Sequence, residues 1–150
     1  MTPQDARKYV VDKPVYEVLP VEEVLGRHPA MTLMNNNLVP GSHTYIETGW
    51  AIAMPEPARH IYEHVHDFDE IVIHMGADPD NQEDLGGEVE FVIDGQPVTI
   101  NTTSAVFIPK GVSHGPITWK KFVKPHFQLT VMLGADTIAD ADPGGHRAVE

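Results

Sequence analysis

From Glu88 to Ile93 the chain alternates, with Val89, Phe91 and Ile93 on one side and Glu88, Glu90 and Val92 on the other. A period of two is the signature of a half-buried strand. Asp94-Gly95 then predicts a tight hairpin turn into Val98-Thr99-Ile100. The same alternation predicts a strand over 44–54, with Ile46, Trp50, Ile52 and Met54 sharing a face. Another is predicted over 59–66, where His60, Tyr62, His64 and His66 share a face, continuing over 70–75 past a short irregular stretch. Residues 104–109 and 126–133 complete the set, and in the last His126, Gln128 and Thr130 oppose Phe127, Leu129 and Val131. Prolines and glycines (13 and 12) punctuate these runs and no long helical period intervenes, so the pattern predicts an all-β barrel or sandwich.

Residues 44–133 form the predicted barrel domain, without an internal repeat. Residues 1–43 read as an N-terminal arm. In it, 9–11 and 15–19 are short extended candidates, and 20–26 reads as one or two helical turns, with Pro20 early, acids in the first turn and Gly26 as the stop. Residues 134–150, rich in Ala, Asp and Gly, are expected to be a loosely ordered tail.

Charge narrows the partners. A formal net charge of −12 over 150 residues disfavours nucleic acid and anionic membrane surfaces, both polyanions. Lys120, Lys121 and Lys124 are a short cluster beside Pro125, read as a solvated turn. The chain has no cysteine, so any metal must be held by nitrogen and oxygen donors. The N-terminus lacks an apolar leader core and no apolar run reaches spanning length, so a soluble cytoplasmic protein is expected. The acidic stretch 77–87 lacks the glycine and glutamate spacing of a helix-loop-helix calcium site, and is expected to be a solvated loop over the barrel mouth or at an oligomer contact.

The chemistry concentrates in His64-Val-His66-Asp-Phe-Asp-Glu70 and in His114, which follows Pro109-Lys110-Gly111. On a strand, His64 and His66 project to one side, and Glu70 has the same parity. With nine histidines in the chain, a His-x-His pair alone carries little weight; the added carboxylate and the third imidazole make the set specific. Three nitrogens and one oxygen suit one divalent transition metal (iron, manganese, nickel, zinc or copper) and leave positions open for water or substrate.

In this combination the chain resembles the cupin superfamily. The first cupin motif, two histidines, a glutamate and a glycine, is matched by His64, His66, Glu70 and Gly76. The second, proline-x-glycine-x-x-histidine, is matched by Pro109, Gly111 and His114. The resemblance covers about residues 44–133 and implies a small antiparallel jelly-roll barrel in which His64, His66, Glu70 and His114 bind the metal. It also implies a homo-oligomer, a dimer being simplest, paired through the arm or a barrel face. The chain departs from the pattern in three places. Thr103 stands near the glycine that opens the second motif, Ile117 and Thr118 near the asparagine that often closes it, and the Glu70-to-Gly76 spacing is one residue short.

Around the metal, parity places His60 and Tyr62 beside His64 and His66, and His126 and Gln128 form a polar pair in an apolar run. Buried imidazoles and amides need partners. His60 and Gln128 are therefore expected to contact substrate, and Tyr62 and His126 to be catalytic groups such as a proton shuttle. His74 reads as a packed core histidine, while His28, His43 and His146 carry no role. Trp50, Trp119 and Phe122 read as core, and Ser113 lacks the nucleophile elbow of a hydrolase. The expected function is a metal-dependent enzyme acting on a small organic molecule, with a slight lean to dioxygenase chemistry. Non-redox isomerase, lyase or decarboxylase chemistry, or a non-catalytic small-ligand binder, are the alternatives.

Overall fold

The computed structural model describes residues 3–16, 23–137 and 140. A five-residue helix, α1 (Pro3–Arg7), precedes ten strands: β1 (Leu25–Arg27), β2 (Met31–Met34), β3 (Thr44–Glu56), β4 (Arg59–Ile61), β5 (Asp69–Gly76), β6 (Asp84–Ile93), β7 (Gln96–Thr102), β8 (Ser104–Ile108), β9 (His114–Phe122) and β10 (His126–Leu133). They form two antiparallel sheets, one ordered β1-β3-β10-β5-β8 with β2 added on β3, the other β4-β9-β6-β7. This is the jelly-roll arrangement expected, built as two packed sheets.

The β6–β7 hairpin forms where the sequence places it. Asp94 (φ 49°) and Gly95 (φ 73°) both take the left-handed conformation that a two-residue primed turn requires. Between the sheets lie Val72, Leu85, Val89, Phe91, Ile100, Ile108, Ile117 and Trp119. Full burial of an aliphatic or phenyl side chain such as Phe91 is worth about 1.5–3 kcal/mol, and these residues hold the layers together. A second cluster at one end joins Tyr45, Met132 and Phe68 to Ala135, so the first residues after β10 dock onto the body.

In β3 the apolar stripe points outward. Ile52 and Met54 are exposed and Trp50 packs on Phe127 (centroids 4.9 Å apart), whereas Tyr45, Gly49 and Ala51 are buried. The inner face of β3 is small and polar at Glu47 and Gly49 because an arginine occupies the space opposite.

That arginine is Arg27, from the segment read as an arm. Leu25–Arg27 is a strand paired with β3, not the end of a helix, with Arg27 opposite Ala51. Gly26 (φ 79°) sits where a Cβ would meet the Met54 carbonyl oxygen at 2.7 Å, so it serves close sheet contact and not a helix stop. Residues 17–22, the rest of those expected turns and part of the second extended candidate, lie outside the described residues. Val15 makes a single bridge to Thr32, and Tyr9 and Val10 close a turn on Ala6 and Arg7 where an extended segment is expected.

The strand expected over 59–66 stops at Ile61. Its chain is passing from the four-stranded sheet to the six-stranded one, and cannot stay in one ladder. The acidic stretch is shorter than it reads, since β6 begins at Asp84. It is fastened by Lys124, whose ammonium lies 2.8 Å from Asp78 and 3.2 Å from Asp84. It follows Gly76, six residues along β5 from Glu70, or roughly 20 Å at about 3.3 Å per residue. The loop therefore stands at the end of β5 remote from Glu70 and covers no mouth there. No helix among the described residues is long and apolar enough to cross a membrane.

Candidate metal centre

Glu70 enters from the second residue of β5, opposite Met132 on one side and Ile108 on the other. His64 and His66 lie on the irregular crossing before it, and a single antiparallel bridge ties His64 to His114 at the start of β9. The Pro109–Val112 turn is stitched to the same crossing. The Gly111 amide donates to the His66 carbonyl (2.9 Å), and the Lys110 amide to Asp69 Oδ1 (2.9 Å). The two motifs are thus bonded together by backbone before any metal is considered. Gly115 (φ 95°) is required next to His114, because a Cβ there would lie 2.4 Å from the Tyr62 carbonyl oxygen.

That carbonyl has a task. His64 Nδ1 donates to Tyr62 O (2.8 Å), His66 Nδ1 to Phe68 O (3.0 Å) and His114 Nδ1 to Val112 O (2.9 Å). A carbonyl can only accept, so each ring carries its proton on Nδ1 and presents an Nε2 lone pair, the usual way an outer contact fixes a ligating imidazole. Phe68 stacks on His66 at 4.0 Å and fixes its plane. One ligand atom from each of His64, His66, Glu70 and His114 falls within 4.8 Å of the others.

The same carboxylate oxygen, Glu70 Oε2, stands 2.8 Å from His66 Nε2 and 2.9 Å from His114 Nε2. Two imidazole lone pairs facing one anionic oxygen repel unless a cation or a proton lies between them. The His114 contact has hydrogen-bond length without hydrogen-bond alignment, leaving that buried nitrogen unsatisfied. The donors therefore fit a divalent cation at their common centre. Burial pushes the Glu70 carboxyl up, but the His114 and His66 rings outweigh it and hold the group at about 2. Burial pushes His114 down, and Glu70 outweighs that, leaving it raised. His66, Glu70 and His114 are buried while His64 is half-buried, so the centre is open on the His64 side.

Two rows deeper on the same inner face lies a second polar cluster, around Gln128 and His74, which pair across β10 and β5. His126 is buried there with both nitrogens committed: Nδ1 donates to Lys124 O (2.9 Å) and Nε2 accepts from Trp119 Nε1 (2.9 Å). It has no nitrogen left to shuttle a proton, and burial pushes its pKa down. Its place is to lock Trp119. Gln128 faces inward as expected, its Oε1 at a long 3.5 Å from Arg27 Nη1. The Tyr62 ring is half-buried, and its backbone carbonyl aligns His64. The side chain of His60 lies outside the described residues. Arg27 is the residue that sequence reading missed: a three-residue strand is too short to show a period, and its pairing partner is far along the chain.

No sequence-family model matches the chain, and no curated protein matches it. Solved structures do. A predicted oxalate decarboxylase from Thermotoga maritima aligns at a TM-score of 0.53 and 17% identity, covering 76% of this chain and 83% of that one. An RmlC-like cupin from Shewanella frigidimarina aligns at a TM-score of 0.48 and 15% identity, covering 73% and 78%. At 17% identity the likeness to the Thermotoga structure speaks for the fold alone. The protein has the fold of the cupin superfamily, with the histidines and glutamate of its two motifs brought to one centre.

Proposed function

We propose that the protein is a metal-dependent enzyme acting on a small organic molecule. The observation that carries this reading is the convergence of three carbonyl-capped imidazoles and one carboxylate within 4.8 Å, open on the His64 side. His64, His66, Glu70 and His114 would hold one divalent transition metal. Such an ion would supply polarisation of substrate oxygens and acidification of water or, as iron, oxygen chemistry. The chain's own part is to orient: the Tyr62, Phe68 and Val112 carbonyls fix the three rings, and Phe68 bars water from the face of His66. Gln128 faces the interior as a substrate contact.

Within this reading oxygen-dependent cleavage is favoured, because His126, the proton shuttle that acid–base chemistry would have used, is committed to Trp119. Apo protein loaded with Fe²⁺ should consume oxygen with a member of a panel of diketones, phenolics and organic acids. No uptake with iron, together with turnover under manganese or zinc, would transfer the proposal to isomerase, lyase or decarboxylase chemistry. A tightly held ion without an exchangeable water, and no turnover of any kind, would leave a ligand-binding protein instead.

A further inference from the structure

We infer that the inner cluster around Arg27 and His74 is a binding site for the carboxylate of a small organic acid whose other end meets the metal centre. The inference names a substrate class for the site just proposed and rests on that reading.

Arg27 reaches the interior from β1, and the fold makes room for it. A Cβ on Gly49 would lie 2.5 Å from Arg27 Nη2. The guanidinium carbon sits 4.9 Å from the centre of the Trp119 ring, in the range of cation–π stacking. Trp119 is itself held by its bond to His126, and His126 by its bond to Lys124 O. A chain of fixed groups thus orients one planar cation inside the sandwich. Burial lowers its pKa to about 10, the Glu47 carboxylate opposing part of that, so it stays charged at neutral pH. Glu47 is shared, since the Tyr45 hydroxyl also donates to it at 3.0 Å.

His74, its ring centre 6.4 Å from that of the same Trp119, is fully buried, with neither ring nitrogen in a hydrogen bond. An unsatisfied buried polar group costs about 1–3 kcal/mol and is rare in a native fold without a partner to come. The ring is neutral, so it offers one N–H donor next to the guanidinium's several. A carboxylate accepts from both, and the planar fork of Arg matches it better than it matches a neutral oxygen. His74 and Gln128 stand four residues along their strands from Glu70 and Met132, on the same inner face, or about 13 Å of backbone at about 3.3 Å per residue. Val72 and Thr130 form the row between them, so an acid that meets both clusters must pass that row, which asks for a few carbons between its carboxylate and a second oxygen function.

The test titrates chelator-stripped and Co²⁺-loaded protein with malonate, glutarate and adipate and with their diamides. Salt is kept at about 0.15 M so that the overall negative charge is screened. Calorimetry gives affinity, the ¹⁵N shifts of His74 report occupancy of the cluster, and the Co²⁺ absorption bands report the metal. At least one diacid should bind about tenfold or more tighter than its diamide and shift His74, since a hydrogen bond to a charged group contributes about 1.5–3 kcal/mol. Arg27→Met should remove that preference while Co²⁺ uptake is unchanged. Gly49→Ala, which pushes the guanidinium aside without deleting it, should weaken the diacid too and serves if Arg27→Met does not fold. Equal binding of acid and amide, no diacid binding, or diacid affinity indifferent to both substitutions would overturn the inference; His74 would then face only water. Failure to take up Co²⁺ would count against the metal reading instead, and the stripped protein would still decide whether the acid binds.

Discussion

Two groups of histidines lie between the sheets, one around Glu70 of β5 and one around His74 of β5 and His126 of β10, and they have opposite commitments. At the outer row His66 and His114, with the half-buried His64, each donate Nδ1 to a nearby carbonyl and turn Nε2 toward one point. Two rows deeper, His126 has both nitrogens bonded into the fold and His74 has neither. Residue type and burial are alike in the two places; what differs is where the second nitrogen is left. What marks the candidate metal centre is capped rings with converging lone pairs. A buried histidine by itself is no guide.

The largest expected effect falls on the outer row. Glu70→Gln removes the one anionic donor, and metal affinity measured by titration should drop by about 100-fold or more, at or beyond the range seen for losing an outer contact. His126→Leu should leave metal stoichiometry as it was. If both substitutions lower affinity equally, the contrast between the rows fails.

The next effect is on pH. Burial, then the charge of Arg27 and the presence of His126, pushes His74 from 6.5 to about 4. Between those values the unfolded chain takes up the proton and the folded one does not, so this residue lowers stability as pH falls from 6.5 toward 4. Above 6.5 it contributes nothing to the slope. The shift of about 2.5 units corresponds to roughly 3 kcal/mol. Denaturant unfolding at pH 7 and pH 4 should show a smaller acid loss in His74→Leu than in the parent. Equal losses would mean that His74 has a partner in the folded state.

These contrasts also mark what could be read from the chain. Motif spacing picked out the four residues whose donor atoms converge, and Asp94-Gly95 its hairpin, because both are local patterns, although the strand parity used for His64 and His66 fails where β4 stops at Ile61. The role of His126 was out of reach. Its partners, Trp119 in β9 and the Lys124 carbonyl in the turn before β10, come from elsewhere along the chain, and alternation shows which face a ring takes but not what it bonds. Arg27 was hidden for a similar reason, since Gly26 carries the same letter at a helix stop as at a bulge beside β3. The stripe Ile46, Trp50, Ile52 and Met54 suggests an inward face only if apolar means buried, and in β3 it does not.

His126→Leu has an effect of its own. Trp119 Nε1 and the Lys124 carbonyl lose their partner, and unfolding free energy should fall by about 1–3 kcal/mol. The smallest change expected is Gly49→Ala. The atom in its way is the tip of a flexible side chain, so stability should shift by less than about 1 kcal/mol even as the guanidinium moves. A loss well above that would show that the Arg27 position is essential to the fold itself.

The most direct measurement is a titration of chelator-stripped protein with Co²⁺, followed by absorption and calorimetry, on the parent chain and on His114→Ala. The parent should bind one ion per chain with bands of mixed nitrogen and oxygen ligation, and His114→Ala should bind far more weakly. A parent that takes up no ion, or a His114→Ala variant that binds as tightly as the parent, would contradict a shared centre for the two motifs.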